Sequence, residues 1–365
     1  MRLLIVLACL ISCGLAAKQQ SITTVNGLRG LYAPGDLIWE DTFDTFDATK
    51  WDYEANMNGG GNNEFQVYER NESNAYVTNG VMHIKPDLTV DHLGGNYEHF
   101  YNGYHYVECC TDPPRGGACD RQAGYPNILQ PAYSARLRTK GRFSFRYGKV
   151  EVRAKLPRGD WMWPAIWMMP EHAVYGGWPS SGEVDIMESR GNRNLFNPAG
   201  VNIGTEQVGS TLHFGPFWPH NGYWAAHNTT NSEATNGYDQ DFHLYQLEWT
   251  EFGFLFRVDN QTVTRVVPPA GGFFELGQFD PTIENPWTEA GGAINPRMAP
   301  FDQEFHFILN VAVGGNFFPT DSTPPRPWET AQTFLSFWEA RDDWLPSWQG
   351  DDAALQVDYI RVWAV

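Results

Sequence analysis

Cysteine is scarce in this chain of 365 residues, with five in all. Cys9 and Cys13 fall in the first fifteen residues, and Cys109, Cys110 and Cys119 share one short loop. No disulfide framework can span the chain, so the fold must rest on an apolar core. Basic residues are also few: 25 Lys and Arg stand against 43 Asp and Glu, a formal net charge of −18. That balance speaks against nucleic acid and anionic membrane as partners and leaves a neutral or cationic ligand. Past the first residues, no apolar run approaches the roughly 18 residues of a membrane span. There is no His-Glu-x-x-His pair, no Gly-x-Ser-x-Gly elbow and no phosphate-binding loop. Metalloprotease, serine-hydrolase and nucleotide-loop chemistries lose their usual signatures. Long amphipathic helices and internal repeats are missing too.

What is present begins with Met1-Arg2 and the apolar run Leu3 to Leu15, closing on Gly14-Leu15-Ala16. This reads as a secretory signal peptide over residues 1–16. Residues 17–365 are then expected to form a single secreted, extracellular domain, one unit more negative once Arg2 is lost. In an oxidising compartment the expected disulfide is Cys110–Cys119, leaving Cys109 free. Pairing through Cys109 and a zinc site built from all three cysteines are the alternatives. Asn71, Asn228 and Asn260 head glycosylation sequons. No exposed apolar stripe calls for a partner subunit, and a monomer is expected.

Short alternating segments recur along the chain. Ala75 to Thr78 and Val81 to Lys85 flank Asn79-Gly80, a strong hairpin signal. Arg142 to Ala154, Tyr245 to Trp249, Gly253 to Val258, Phe305 to Val313 and Leu355 to Trp363 continue the pattern. Strands without intervening helices imply an all-β fold, a β-jelly-roll sandwich of two antiparallel sheets with a concave cleft. The Pro/Gly-rich stretches 111–131, 267–273 and 323–327 read as loops on it. Aromatics are heavy, with 15 Trp, 16 Tyr and 23 Phe. Most belong in the core, but Trp also stacks on the apolar faces of sugar rings. In Trp161-Met162-Trp163-Pro164-Ala165-Ile166-Trp167, one or two Trp would line the cleft while Met and Ile fill the core. Burial of every Trp is the rival reading. Gly59-Gly60-Gly61-Asn62-Asn63-Glu64 lacks a nucleotide-site context and reads as a loop that lets a ligand come close.

The densest chemistry lies in Gly182-Glu183-Val184-Asp185-Ile186-Met187-Glu188. Val184 and Ile186 alternate with the first two acids as in a half-buried strand, so Glu183 and Asp185 share a face. Glu188 has the opposite parity, and one bulged residue near Met187 would return it to that face. Like charges so close repel unless the site uses the repulsion. Glycoside hydrolysis uses it: one carboxylate acts as nucleophile or base and one carboxyl is held protonated as acid. A chance acidic strand is the plain alternative.

The stretch Trp178-Pro179-Ser180-Ser181-Gly182-Glu183-Val184-Asp185-Ile186-Met187-Glu188-Ser189 resembles the active-site signature of glycoside hydrolase family 16. The residue inserted before the last Glu makes it similar to the laminarinases, the endo-β-1,3-glucanases of that family. Gly61 to Tyr68, Ser134-Ala135-Arg136, Tyr147 to Pro157, Trp163 to Trp167, Thr211 to Gly215, Leu309 to Asn316 and Val357-Asp358-Tyr359 extend the likeness over residues ~35–365. The resemblance implies Glu183 as nucleophile, Asp185 as its assistant and Glu188 as general acid/base, with retained anomeric configuration. It also implies sugar contacts at Asn62, Arg136, Trp163 and Trp178, and His213 beside the acids. No cofactor is needed for that catalysis. A structural calcium occurs in many family members, and Asp358 is its candidate ligand here.

The expected function is therefore secreted endo-hydrolysis of a β-glucan polysaccharide of the laminarin type. Non-catalytic β-1,3-glucan recognition proteins of innate immunity, which resemble the same family, are the other class. Those typically lose a catalytic acid and carry an extra N-terminal domain. Here all three acids are present, and the likeness begins soon after the leader, which leaves no room for one. Within enzymes, mixed-linkage glucan, galactan and transfer to a sugar acceptor are the alternatives.

Overall fold

The computed structural model describes residues 20–112, 117–232, 236–328 and 333–365. The leader expected at 1–16 lies outside them. Seven strands carry the architecture: β1 (Gly148–Lys155), β2 (Met162–Pro170), β3 (Glu183–Ser189), β4 (Gln207–His213), β5 (His243–Thr250), β6 (Phe305–Val313) and β7 (Leu355–Trp363). Period-two burial is clearest in β1, where Val150, Val152 and Ala154 point inward and the residues between them lie at or near the surface. The same alternation in β5 buries Tyr245, Leu247 and Trp249. β6 instead is buried at every position, as its run Phe305-His306-Phe307-Ile308-Leu309, apolar but for His306, demands of a central strand.

Two large antiparallel sheets result. In the first, His227–Asn231, β4, β3, β2 and β6 lie side by side, and both Phe145–Arg146 and Arg136–Arg138 pair with β6. In the second, Gln261–Val266, Gly253–Val258, β5, β1, β7, Val81–Ile84 and Ala75–Thr78 follow in order, with Leu37–Asp41 also on β7. The inward faces meet through Met162, Ile166, Met168, Leu309 and Val311 on one side and Val152, Tyr245, Trp249, Phe256 and Ile360 on the other. Each such side chain contributes about 1.5–3 kcal/mol by leaving water. This is the jelly-roll sandwich that the alternating segments imply.

The Asn79-Gly80 hairpin forms as expected, both turn residues having positive φ (52° and 75°). Two features go beyond the sequence reading. A small third sheet pairs Gln66–Tyr68 in parallel with Ala132–Ser134, beside Asp87–Leu88. Short helices at Tyr97–Asn102 and Thr333–Glu339 pack Phe100 against Trp338, outside the sandwich. Cys110 and Cys119 are disulfide-bonded, and Cys109 is exposed and free. Among the described residues, no helix is long and apolar enough to cross a membrane.

Candidate active site

The acidic strand carries the expected bulge. In β3, Asp185 pairs with Trp167 of β2 while Met187 pairs with the adjacent Ile166, leaving Ile186 as the extra residue. Toward β4, Asp185 faces Thr211 and Glu188 faces Gly209, three residues against two. A regular strand would put Glu183 and Glu188 on opposite faces; the bulge removes that conflict. Val184, Ile186 and Met187 stay in the core and pin the strand, so the acids face the cleft. A register row then runs across four strands: Arg136 opposite Asn310, Asn310 opposite Ala165, and Ala165 opposite Glu188. Directly paired residues share a sheet face, so this row forms the cleft floor.

His213 closes the acid cluster. It pairs with Glu183 in register, and its Nε2 lies 3.2 Å from Asp185 Oδ2 and 3.8 Å from Glu183 Oε1. The Asn221 amide meets its Nδ1 at 2.8 Å. Asp185 is almost wholly buried, and burial together with the Glu183 and Glu188 charges pushes its carboxyl well above the usual carboxylate range. Glu188 is also raised. Burial is the main cause and the Glu183 charge adds to it, while His213 and the Trp163 indole oppose. That indole N–H donates to Glu188 Oε1 at 3.0 Å. Burial alone would lower His213, but the surrounding acids outweigh it and lift the imidazole to about 10. Burial and mutual repulsion thus shift Asp185 and Glu188 toward the protonated form, the direction a general acid requires.

Beyond the acids, the Trp163 ring stacks on Phe317 at 4.3 Å, and the Arg190 guanidinium covers the Phe317 ring at 3.9 Å. Arg136 lies 4.6 Å from the Trp167 ring centroid and pairs with Glu54 at 3.5 Å. The Trp167 indole donates to Asn310 Oδ1 at 2.7 Å, and the Asn310 amide donates to the Tyr68 hydroxyl at 3.1 Å. Sequence reasoning gave no role to Asn310, Glu54 or Asn221, and held Trp167 only among the tryptophans of which one or two would line the cleft. A signal existed for Asn310, a lone amide in a strand otherwise apolar but for His306, which buries a polar group only with a partner. Trp161, by contrast, is core, packed edge-on against Phe318 and Trp328.

Asn62 ends the triple-glycine turn, and its carbonyl accepts from the Asn316 backbone, tying that loop to the end of β6. Beneath it, Glu64 is buried, and Gln66 donates to it at 2.7 Å. Burial raises Glu64 to about 7 against the pull of Arg136. Trp178 is 38% exposed, with its ring 5.7 Å from that of His213.

Asp358 lies on β7 in the other sheet, where Arg153 Nη1 contacts its Oδ2 at 2.6 Å. A carboxylate already holding a guanidinium does not fit a calcium ligand, which shares its ion with several further oxygens. Among the described residues, the one convergence of three metal-capable side chains is Glu183, Asp185 and His213, inside the acid cluster. Of the sequon residues, Asn228 and Asn260 are exposed, whereas the Asn71 amide meets His92 Nδ1 at 3.0 Å.

A two-sheet jelly roll with three acids on one bulged cleft strand and a histidine paired to them from the next strand defines the class of the site, a glycoside-hydrolase architecture. The sequence model of glycosyl hydrolases family 16 matches residues 128–273. A protein of Penaeus monodon named beta-1,3-glucan-binding protein is 45% identical, with 90% of both chains covered. A glucan endo-1,3-beta-glucosidase of Cryptopygus antarcticus is 30% identical over 90% of this chain and 91% of that one. Among solved structures, the laminarinase of Rhodothermus marinus superposes with a TM-score of 0.56 at 27% identity, over 90% of this chain and 97% of that one. The chain belongs to glycosyl hydrolases family 16.

Proposed function

We propose that the protein is a secreted endo-hydrolase of β-1,3-glucan that retains anomeric configuration. The observation that carries this reading is the intact acid cluster: Glu183, Asp185 and Glu188 with His213 on one face of β3 and β4. Glu188, whose carboxyl is shifted toward the protonated form by burial and by the Glu183 charge, gives its proton to the leaving oxygen while Glu183 attacks the anomeric carbon. Once Glu183 is esterified, its charge no longer lifts Glu188. The Glu188 carboxylate can then take a proton from the water that releases the sugar. Asp185 and His213 position Glu183 and share its charge. Asn62, Arg136, Trp163 and Trp178 hold sugar rings along the floor. The reading includes cleavage of a leader at 1–16, a single domain over 17–365, glycosylation at exposed sequons and a monomeric state.

A second reading is glucan recognition without turnover, favoured by the name of the Penaeus relative. Reducing-sugar release from laminarin separates the two, run beside Glu188→Gln with lichenan and agarose as comparators. Turnover that falls by about 10²–10⁴ in the variant supports the hydrolase. Equal laminarin binding by both proteins with no sugar release supports recognition. Proton NMR of the first product tests retention, since an early α-anomer from a β-glucan contradicts double displacement.

A further inference from the structure

Exposed tryptophan is confined to one place. Among the described residues, the three tryptophans with large exposure are Trp178, Trp218 and Trp224, and Phe217 and Tyr223 share the loop of the last two. Contiguous exposed aromatic surface costs hydration free energy and marks ligand contact more often than chance. Trp178 already stands beside the acids. Its ring centroid is 5.7 Å from His213 and 5.5 Å from Trp218, with Trp178 and Trp218 inclined by 35°. The Tyr223 ring is likewise 5.6 Å from His213. A row of rings thus leads from the acid cluster out to Trp218, which is 66% exposed.

The loop bearing this row is firmly held. Ser180 Oγ donates to the Pro216 carbonyl at 2.7 Å, and the Trp287 indole donates to the Ser180 carbonyl at 2.8 Å, which joins the Trp178 and Trp218 loops. Gly215 has no room for a side chain, since a Cβ there would overlap the His220 carbonyl. The Gly222 N–H returns to the Phe214 carbonyl at 2.7 Å. Phe214, next to His213, is wholly buried against Phe273, Phe301 and Trp287. The apolar residue that the loop needs for folding is therefore Phe214, and Trp218 is left over. Among the described residues, nothing accepts its indole N–H, whereas those of Trp163, Trp167 and Trp287 are all used. A rigid ring with a free donor at its edge suits a pyranose, which offers an apolar C–H face ringed by hydroxyls.

We infer that Trp218 forms an outer sugar subsite continuous with Trp178, which binds a further glucosyl residue of the same glucan chain and makes the protein favour long chains over short ones. The inference rests on the β-glucan reading above. A chain whose ring lies over Trp178 carries its next residue across Trp218, and the fixed tilt between the two rings follows the turn of the chain.

The test is Trp218→Ala, with Trp218→Phe beside it, assayed on laminari-oligosaccharides of increasing length and on laminarin. Binding is measured in parallel by intrinsic fluorescence in a Glu188→Gln background. The expected result is that affinity and KM for long chains worsen about tenfold in Trp218→Ala. kcat should be unchanged, the shortest cleaved oligosaccharide unaffected, and much of the loss recovered in Trp218→Phe. An Ala variant that binds and cleaves every length like the unaltered protein overturns the subsite. So does a loss equal at all lengths, which means the ring only supports the loop. If the unaltered protein neither binds nor cleaves laminarin, the β-glucan reading fails first and takes the subsite with it.

Discussion

His213 Nε2 sits 3.2 Å from Asp185 Oδ2 and 3.8 Å from Glu183 Oε1, so one imidazole on β4 faces two acids of β3. Its charge lowers the proton affinity of both Asp185 and Glu188. Replacing it by Gln should raise both. The descending limb of the kcat/KM profile, set by loss of the Glu188 proton, then moves to higher pH, and turnover at its optimum falls about tenfold to hundredfold. The His213 pKa is raised from 6.5 to about 10, so its contribution to stability is full below about pH 6.5 and is lost as pH rises through 10. A pH–rate profile of His213→Gln that drops without moving would mean that the imidazole only fills space.

Glu64 acts with the same sign in a lower pH window, and for the opposite reason, since here it is the neutral form that burial favours. Burial lifts its carboxyl from 4.5 to about 7, so the folded protein keeps a proton that the unfolded chain releases. Stability should therefore decline as pH rises from about 4.5 to 7, by about 3 kcal/mol in all. Glu64→Gln keeps the shape and the acceptor for Gln66 but cannot ionise. Urea midpoints from pH 4.5 to 8 should slope down in the unaltered protein and flatten in the variant. Parallel slopes would assign the pH dependence to other groups.

Legibility followed the local physics. β6, β7 and Gly253–Val258 match the expected strands residue for residue because period and turn chemistry agree there. The bulge beside Met187 was legible from parity alone, since three acids of mixed parity needed one extra residue to share a face. His213, Arg136 and Trp163 all reach the cleft, yet only the family likeness pointed to the first two, and parity offered Trp163 merely as one of three tryptophans. Their meeting depends on pairings such as Glu183 with His213, thirty residues away, which no local pattern encodes. The helices around Phe100 and Trp338 went unread because a helix of about seven residues has too few turns to show a period. Asp358 was the opposite case. The likeness alone named it as a calcium ligand, and in the structure Arg153 on the neighbouring strand pairs with it.

Gly182 shows how tightly the chain sets its nucleophile candidate. It precedes Glu183, has φ +83°, and its N–H returns to the Pro179 carbonyl at 3.1 Å, which turns the chain into β3. A Cβ there would lie 2.9 Å from the Phe301 ring and 3.1 Å from Pro300. Both ring systems are in the core and cannot swing aside. Gly182→Ala should therefore cost about 1–2 kcal/mol for left-handed backbone and about 1–3 kcal/mol for overpacking. Relief by shifting β3 moves Glu183 away from the sugar, and small misplacements of a reacting group are costly. The expected outcome is a melting temperature lower by several degrees and a kcat on laminarin reduced far more than the folded fraction, both measured well below the transition. If melting and turnover both matched the unaltered protein, the turn would have slack, and the placement of Glu183 would have to come from its pairing with His213 alone.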